Sequence, residues 1–479
     1  MRQYLLEGPV LPPLEMQVPL RFAFYLPISL QALLLHPSVP PTLSRLLRFA
    51  LMPISVVMSF ATPYRYAIEP RNQAIVVIGI MGAYGIMKSV EWGLASNLLP
   101  YTWIGFEEPS LEDQLRGAKS KEEKHRLRQQ HHQRLIELRR RQAATEGPVQ
   151  ILRSTLHLTL SMRGAGYQFG AIATKPYSTD RRIYLRRVLR DIALTHPLLT
   201  VCAMTLLEPA STRDAFFARH LPTSFSAEQA TQIGGAVTGL AMGTAVFAAL
   251  TLGYSCASLL TLIGTAISRC VPFVPDMLRL PEFDPREYPP LFKLDRVPDS
   301  VAEWWSKTWH AFFARPFRFL GFKPAFRLVS PIAGKGAGRA AAVLATFAVS
   351  AWIHEFGLAS SISTLPPTDE PLSFYLRWGG SIYFMSQGVG IVLEGLFTVM
   401  TGRRVGGVLG TVWMSLFVVG CGIALRDSWI TQGLLREVPP VPYWSWPRYV
   451  VPMGCLQPPP LWMNSYPAFY YAERAHATF

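Results

Sequence analysis

Long apolar stretches, separated by loops that hold most of the charges, are the feature that most limits what this chain can fold into. A run of about 18 or more apolar residues is typical of a transmembrane helix, because about 20 helical residues cross a ~30 Å hydrocarbon core. The candidate spans are Val18–Leu35, Leu46–Ala61, Ala74–Leu99, Val188–Leu207, Ile233–Leu262, Gly338–Ser360, Phe374–Met400 and Val405–Ala424. The fifth continues apolar to Ile267 and is either one tilted helix or two tight spans. The sequence therefore predicts an all-α polytopic membrane protein with eight or nine transmembrane helices and additional interfacial helices.

The charge balance supports a membrane protein and argues against a nucleic-acid-binding one. Charged residues make up 16% of the 479 residues, against about 25% in an ordinary soluble domain. The net charge is +15, but the lysines and arginines lie mostly in loops, as the positive-inside rule describes for cytosolic segments. Such loops attract anionic lipid headgroups and are compatible with an acidic ligand such as acyl-CoA. We therefore expect membrane lipid as a partner, no nucleic acid, and a cytosolic basic loop at residues 100–150.

The cysteines and histidines give no sign of a metal site. The five cysteines form no Cys-x-x-Cys pair, and His125, His131 and His132 lack Cys or Asp at ligand spacing. These histidines lie in Lys121–Gln142, a basic run that is compatible with a helix. Its scarcity of large apolar residues favours a solvated or disordered loop. We expect neither a metal nor a bound cofactor.

Two histidines are the strongest candidates for chemistry. An ionisable side chain inside a span is costly, so each one marks a candidate functional site. His354 lies within Gly338–Ser360, and an imidazole titrates near neutral pH, which suits a general base. A structural histidine that bonds a neighbouring helix is the equal alternative. His310 follows three tryptophans in an aromatic and basic stretch that predicts an interfacial helix, with a simple membrane anchor as the alternative. The other ionisable groups within spans are Lys88, Glu91, Asp191, Glu355 and Glu394.

The segment around His310 resembles the Phe-Trp-x-x-x-Trp-His signature of wax-synthase-like membrane-bound O-acyltransferases. Trp304–His310 has the sequence WWSKTWH, with a tryptophan in place of the phenylalanine. Four further motifs resemble the family's Arg-Gly-x-Gly-aromatic, Pro-Pro-x-Phe, Ser-Gly-x-x-His and Phe-x-x-Gln-Gly patterns, the last followed by a glutamate. They are Arg163–Tyr167, Pro289–Phe292, Ser350–Glu355, in which Ala351 replaces the glycine, and Phe384–Glu394. Five motifs in sequence order on a polytopic chain give the resemblance its weight.

The resemblance divides the chain into four regions. Residues 1–99 are expected to form N-terminal membrane helices, and residues 100–150 the basic cytosolic loop. Residues 151–425 are expected to form the wax-synthase-like acyltransferase core. Residues 426–479 are expected to form an interfacial tail, because prolines break helices and aromatic side chains suit the headgroup region.

The resemblance implies transfer of an acyl group from acyl-CoA to a hydroxyl. We assign His354 as the general base and His310 as the donor that stabilises the oxyanion or orients the thioester. Trp305 and Trp309 are expected to wall the acyl channel.

Four further residues are expected to bind substrate. Arg315 and Arg318 are candidates for contacts with the CoA phosphates. Gln387 and Glu394 lie two turns apart on one helix face, which we expect to line the acceptor cavity. A buried polar network that ties helices together is the alternative for that face.

The many prolines and the long basic loop are similar to those of fungal members of the family. That likeness implies acetyl-CoA as the donor and a terpenoid or meroterpenoid alcohol as the hydrophobic acceptor, in secondary metabolism at the endoplasmic reticulum. A wax ester synthase that uses long-chain acyl-CoA and a fatty alcohol is the alternative with the same chemistry. A proton-coupled transporter is the alternative from another class, because it would also place His354, Glu355 and Glu394 in the membrane.

Overall fold

The described part of the chain is helical. The computed structural model describes residues 19–65, 74–106, 111–170, 179–207, 210–222, 224–275, 279–362 and 371–434. Within these residues the β-structure is one isolated antiparallel bridge, between Trp103 and Tyr167. The α-helices are α1 (Tyr25–Leu34), α2 (Pro41–Arg65), α3 (Ala74–Leu94), α4 (Leu111–Gly117), α5 (Lys121–Thr145), α6 (Pro148–Leu160), α7 (Arg181–Leu207), α8 (Ala210–His220), α9 (Ala227–Cys270), α10 (Val301–Glu303), α11 (Ala314–Phe317), α12 (Lys323–Ile362), α13 (Phe374–Thr401), α14 (Gly407–Ser415) and α15 (Gly422–Thr431). Wide π-helical turns lie at Trp304–Thr308, Arg318–Phe322 and Leu416–Gly420, and 3-10 turns at Leu99–Tyr101 and Pro285–Glu287.

Five helical stretches among the described residues are long and apolar enough to cross a membrane: Pro41–Tyr64, Ala227–Cys270, Ala314–Ser360, Phe374–Thr401 and Gly407–Thr431. Helix α1 is apolar but shorter. Helices α3 and α7 form where spans are predicted, yet they are not among the five. The all-α, membrane-spanning character is thus supported, whereas the predicted count of eight or nine spans is not confirmed.

Helix α9 settles whether the fifth apolar stretch is one helix or two. It continues for 44 residues from Ala227 to Cys270. A capping box starts it: the Ser226 hydroxyl accepts from the Gln229 amide at 3.2 Å, and the Gln229 side chain accepts from the Ser226 amide at 2.8 Å. At 1.5 Å per residue such a helix is about 66 Å long, well beyond one hydrocarbon core. The stretch is a single helix that extends past the membrane or is strongly tilted in it.

The basic run predicted as a loop is the 25-residue helix α5. The Ser120 hydroxyl accepts from the amide of Glu123 at 3.0 Å, which caps the first turn. Arg139 anchors the helix by donating to the carbonyl oxygens of Leu35 at 3.0 Å and Leu98 at 3.2 Å. The expectation of a loop is therefore wrong, because capping and backbone contacts stabilise a helix that buries little apolar surface. Its cytosolic location remains a prediction.

The C-terminal region is described only in part. Helix α15 continues to Thr431, so the beginning of the predicted tail at 426–479 is helical. The Pro- and aromatic-rich stretch Val438–Met463 lies outside the described residues.

A sharp reversal at Gly334 folds residues 314–362 into a hairpin. Gly334 has φ 83° and ψ 166°, which interrupts the helical backbone. A Cβ atom at Gly321 would come within 2.9 Å of the Ala345 carbonyl oxygen and of the Thr346 Cα atom. Gly338 is similarly close to Ser330. Because these close pairs are arranged symmetrically about Gly334, the two arms run antiparallel along each other.

The second arm of this hairpin is the centre of the helical packing. Helix α12 contacts α3 on one side and α13 on another, and α13 in turn contacts α15. Helices α7 and α9 form a second pair, and α9 also touches α15. Buried apolar side chains join the hairpin to α3, in a cluster that contains Tyr84, Met87, Phe313, Ile353 and Phe356. The residues around position 354 therefore lie inside the helical packing.

Candidate functional site

The hairpin brings the two candidate histidines together. His310 lies just before the first arm and His354 lies in the second, beyond the reversal at Gly334. Their neighbours Phe313 and Ile353 belong to the same buried cluster. A charge on His354 also acts electrostatically on His310. Two histidines from separate motifs therefore share one site.

His354 is held in one tautomer by its own helix. Its Nδ1 atom lies 2.7 Å from the carbonyl oxygen of Ser350, one turn earlier. A carbonyl oxygen can only accept, so Nδ1 carries the proton and Nε2 carries the lone pair. The ring stacks on Phe384 of α13, with centroids 4.1 Å apart and an interplanar angle of 25°. The imidazole is thus fixed with Nε2 able to accept a proton.

His310 lies among aromatic rings in a non-helical segment between π-turn Trp304–Thr308 and α11. Ring centroids of Phe312 and Phe292 lie 5.1 Å and 6.1 Å from that of His310. Its Nδ1 atom is buried and makes no hydrogen bond to the described residues. Burial, followed by repulsion from His354 and Arg163, lowers the pKa of His310 to about 3. His310 is therefore neutral at physiological pH, with a buried nitrogen that a substrate atom or water would satisfy.

The tryptophan segment is not the interfacial helix that the sequence predicts. The single helical turn α10 widens into the π-turn Trp304–Thr308, which closes when the Trp309 amide donates to the Trp304 carbonyl at 2.8 Å. The chain is extended at Trp309, with φ −73° and ψ 159°. π-Turns are often found at functional sites. Here the turn is followed directly by the extended backbone that leads into His310.

Glu394 fixes the start of this segment. Its carboxylate accepts from the backbone amides of Val301 at 2.6 Å and Ala302 at 3.1 Å. It also accepts from the indole of Trp413 at 3.1 Å. A carboxylate at a helix N-terminus satisfies amides that have no partner within the helix. Glu394 thereby joins α13, α14 and the beginning of the tryptophan segment.

Gln387 lies two turns before Glu394 on the same face of α13 and also joins separate parts of the chain. The Trp305 indole donates to the Gln387 side-chain oxygen at 3.1 Å, and the Gln387 amide donates to the Phe417 carbonyl at 2.7 Å. Gln387 is fully buried. These bonds are those of the buried polar network that was the alternative for this face. Contact of Gln387 and Glu394 with an acceptor remains a prediction.

Aromatic rings surround Trp305 and Trp309. The two indoles lie 5.7 Å apart, and Trp305 is 5.6 Å from Phe347 on the second arm of the hairpin. Trp309 packs edge-on against Phe292 at 4.9 Å. Trp309 thus lies beside His310, with ring centroids 5.5 Å apart, and Trp305 packs against Phe384, the ring that stacks on His354. Contact of the two tryptophans with an acyl chain remains a prediction.

The Arg-Gly-x-Gly motif contacts the Pro-Pro-x-Phe turn, which carries Phe292 of the site. The Arg163 guanidinium donates to the Pro289 carbonyl oxygen at 2.6 Å. Gly164 and Gly166 have φ 66° and 80°, and a Cβ atom on Gly166 would lie 2.3 Å from the ring of Trp103. Both glycines are needed for conformation and for space. The turn that they form holds Arg163 against the segment carrying Phe292.

The two arginines predicted to bind CoA differ in their surroundings. Arg315 forms an ion pair with the buried Glu91 of α3, and its guanidinium lies 3.2 Å from the Tyr101 hydroxyl. Arg318 is exposed. The sequence alone does not predict the Glu91–Arg315 contact, because no local pattern links two residues that lie so far apart in the chain. A CoA phosphate contact stays a prediction for both arginines, and Arg318 is the one with an exposed side chain.

The segment that contains both histidines matches a known protein family. Residues 288–376 match the membrane bound O-acyl transferase family. The matched segment includes Phe292, the tryptophan segment, both histidines and the entire hairpin. No curated protein and no solved structure matches the chain. The match supports the family resemblance and a membrane-bound acyltransferase activity in general. With the apolar helices, it also supports an integral membrane protein.

Proposed function

We propose that the protein transfers an acyl group from acyl-CoA to a hydroxyl, with His354 as the general base. The observation that carries the proposal is the placement of His310 and His354 beside one buried cluster, in complementary states. His354 has an Nε2 lone pair available because Ser350 holds its other nitrogen. His310 is neutral and has a buried nitrogen without a protein partner among the described residues. The two can therefore accept a proton and donate a hydrogen bond at the same site.

The reaction follows from these two roles. The hydroxyl oxygen attacks the thioester carbonyl carbon while His354 Nε2 removes the hydroxyl proton. His310 donates a hydrogen bond to the developing oxyanion. The carbon–sulfur bond then breaks, the ester is released, and the thiolate of CoA takes the proton from His354. The thioester is already activated, so a base and an oxyanion donor suffice.

The proposal extends to the acyl donor, the acceptor alcohol and the membrane in which the protein lies. We propose acetyl-CoA as the acyl donor and a terpenoid or meroterpenoid alcohol as the acceptor, in secondary metabolism at the endoplasmic reticulum. The likeness to fungal members of the family supports this choice. The aromatic surface formed by Phe292, Trp305 and Trp309 beside the histidines is compatible with an apolar alcohol.

Ester formation by the detergent-solubilised protein tests the proposal. Labelled acetyl-CoA is supplied with a panel of terpenoid alcohols, and in parallel long-chain acyl-CoA with fatty alcohols. Product from the first pair only supports the acetyltransferase, and product from the second only makes the protein a wax ester synthase. Absence of ester from every acyl-CoA, together with gradient-dependent uptake into proteoliposomes, would replace the enzyme with a transporter.

Three substitutions test the roles of the histidines. His354→Gln should abolish ester formation while thermal stability is retained, because an amide can hydrogen bond but cannot take the proton. His310→Ala should lower turnover by ~10²–10³, the scale for one lost oxyanion donor. His125→Gln is the matched control, since His125 is exposed on α5. A His354→Gln protein with normal turnover would contradict the base assignment.

A further inference from the structure

The segment that carries His310 is fixed at both of its ends. His310 itself lies in an irregular stretch that leads into the short helix α11. At the upstream end, the Glu394 carboxylate accepts from two backbone amides, as described above. At the downstream end, the Arg315 guanidinium of α11 pairs with Glu91 of α3. Two buried carboxylates from separate helices therefore bracket His310.

The contact between Glu91 and Arg315 is part of a closed network. The Glu91 side chain is completely buried, and its carboxylate accepts from the Arg315 guanidinium and from the Tyr101 hydroxyl, the latter at 2.8 Å. The guanidinium also donates to the Tyr101 hydroxyl at 3.2 Å. Its Cζ atom lies 5.0 Å and 5.1 Å from the ring centroids of Tyr101 and Phe169. Because a buried carboxylate is costly to leave unpaired, this network holds Arg315 in one place.

Phe313 connects the same face of α3 to His310. Its ring centroid lies 5.7 Å from that of Tyr84 and 6.0 Å from that of His310. Tyr84 and Glu91 are seven residues apart on α3, which places them two turns apart on one face of the helix. Phe313 and Arg315 therefore attach the stretch after His310 to α3 at two levels. A shift of Arg315 would move Phe313, and with it the ring that packs against His310.

We propose that Glu91 is a positioning residue for His310. Acting through Arg315, it fixes the downstream end of the segment and so sets where the imidazole of His310 meets the developing oxyanion. This inference rests on the proposed acyl transfer, in which His310 is the oxyanion donor. Displacement of a catalytic group by ~1 Å can cost about a hundredfold in rate. The network therefore acts on turnover and leaves the binding of both substrates unchanged.

Tyr101→Phe tests the network with a small change to the full-length protein. It keeps the aromatic ring and the Glu91–Arg315 ion pair, and it removes only the hydroxyl that bonds to both partners. The kcat of ester formation should fall about tenfold, because His310 is less well aligned, while the KM values for acyl-CoA and for the alcohol stay unchanged. Glu91→Gln should lower kcat by up to ~100-fold. Thermal unfolding of each variant is measured to show that it is folded.

A double-mutant cycle with His310→Ala separates positioning from general stability. If Tyr101 acts through His310, Tyr101→Phe should cause no further loss of the turnover that remains in His310→Ala. A merely structural contact would lower turnover by the same factor in both backgrounds. The matched control is Arg139→Gln, because Arg139 of α5 is also a half-buried arginine but donates to two carbonyl oxygens outside the hairpin. It should leave kcat unchanged in both backgrounds.

Three results would overturn the positioning role while ester formation by the wild-type protein still supports acyl transfer. The first is an unchanged kcat in Tyr101→Phe, and the second is an equal loss of turnover with and without His310. The third is a raised KM for acyl-CoA at unchanged kcat, which would make Arg315 a contact of CoA instead. Failure of the wild-type protein to form any ester is a different result, because it would remove the acyl transfer and this inference with it.

Discussion

Replacing Gly334 by alanine tests whether the hairpin holds the two histidines together. The backbone of Gly334, with φ 83° and ψ 166°, lies in a region that is essentially restricted to glycine. A Cβ atom there would meet no other atom within 4 Å, so the cost of alanine comes from the backbone alone. That cost is about 1–3 kcal/mol. The free energy of unfolding should fall by this amount, and ester formation should fall as the arms lose their alignment.

Gly336 supplies a matched control two residues away. A Cβ atom at Gly336 would also meet nothing within 4 Å, but its φ is not positive. Gly336→Ala should therefore be neutral or stabilise the helix by up to ~1 kcal/mol. Thermal unfolding in detergent, followed by tryptophan fluorescence, and ester formation are measured for both variants. Equal stability and equal activity of the two would refute the hairpin as the element that aligns the site.

Two further substitutions probe the surroundings of the site. Glu394→Gln should lower the free energy of unfolding by ~1–3 kcal/mol, because the carboxylate accepts from two backbone amides and from Trp413, and a side-chain amide cannot replace all of these bonds; unchanged thermal unfolding would contradict its role at the helix start. His310 has a folded pKa of about 3 and an unfolded pKa near 6.5, so between these values the unfolded chain binds a proton that the folded chain does not. The wild-type protein should therefore lose up to ~1.4 kcal/mol of stability per pH unit below pH 6.5, and His310→Asn should lose less on acidification, as measured by Tm at pH 7.5 and 5.5. Identical acid sensitivity of the two proteins would argue against a buried neutral His310.

Local patterns in the sequence predicted most of the long apolar helices and singled out both histidines. The apolar stretch at Gly338–Ser360 and the motif around His354 correspond to one arm of the hairpin. The reversal itself was not predictable, because Gly334, Gly336 and Gly338 alternate in the sequence and only packing decides which of them turns. The sequence thus located the two histidines without showing how they meet.

Long-range pairing explains the other differences between expectation and structure. Arg315 was expected to bind CoA, yet it pairs with Glu91, 224 residues away in the chain. No local pattern specifies a contact of that separation. For α5, Ser120 and the acidic first turn were available as helix signals. The lack of large apolar residues in this segment nevertheless favours a loop when only the sequence is considered. In the structure, Arg139 stabilises the helix by donating to carbonyl groups elsewhere in the chain.

The hairpin also determines the order in which the site can assemble during synthesis. His310 and His354 are joined by a single reversal, so bringing them together requires closure of a short segment with a modest loss of chain entropy. Contacts of this kind form quickly compared with pairings between distant parts of a chain. Glu91 has by then already been synthesised, so Arg315 can find its partner as soon as the first arm emerges. The two histidines can thus come together before α13 packs against them, and Phe384 and Glu394 then contact a site that already exists.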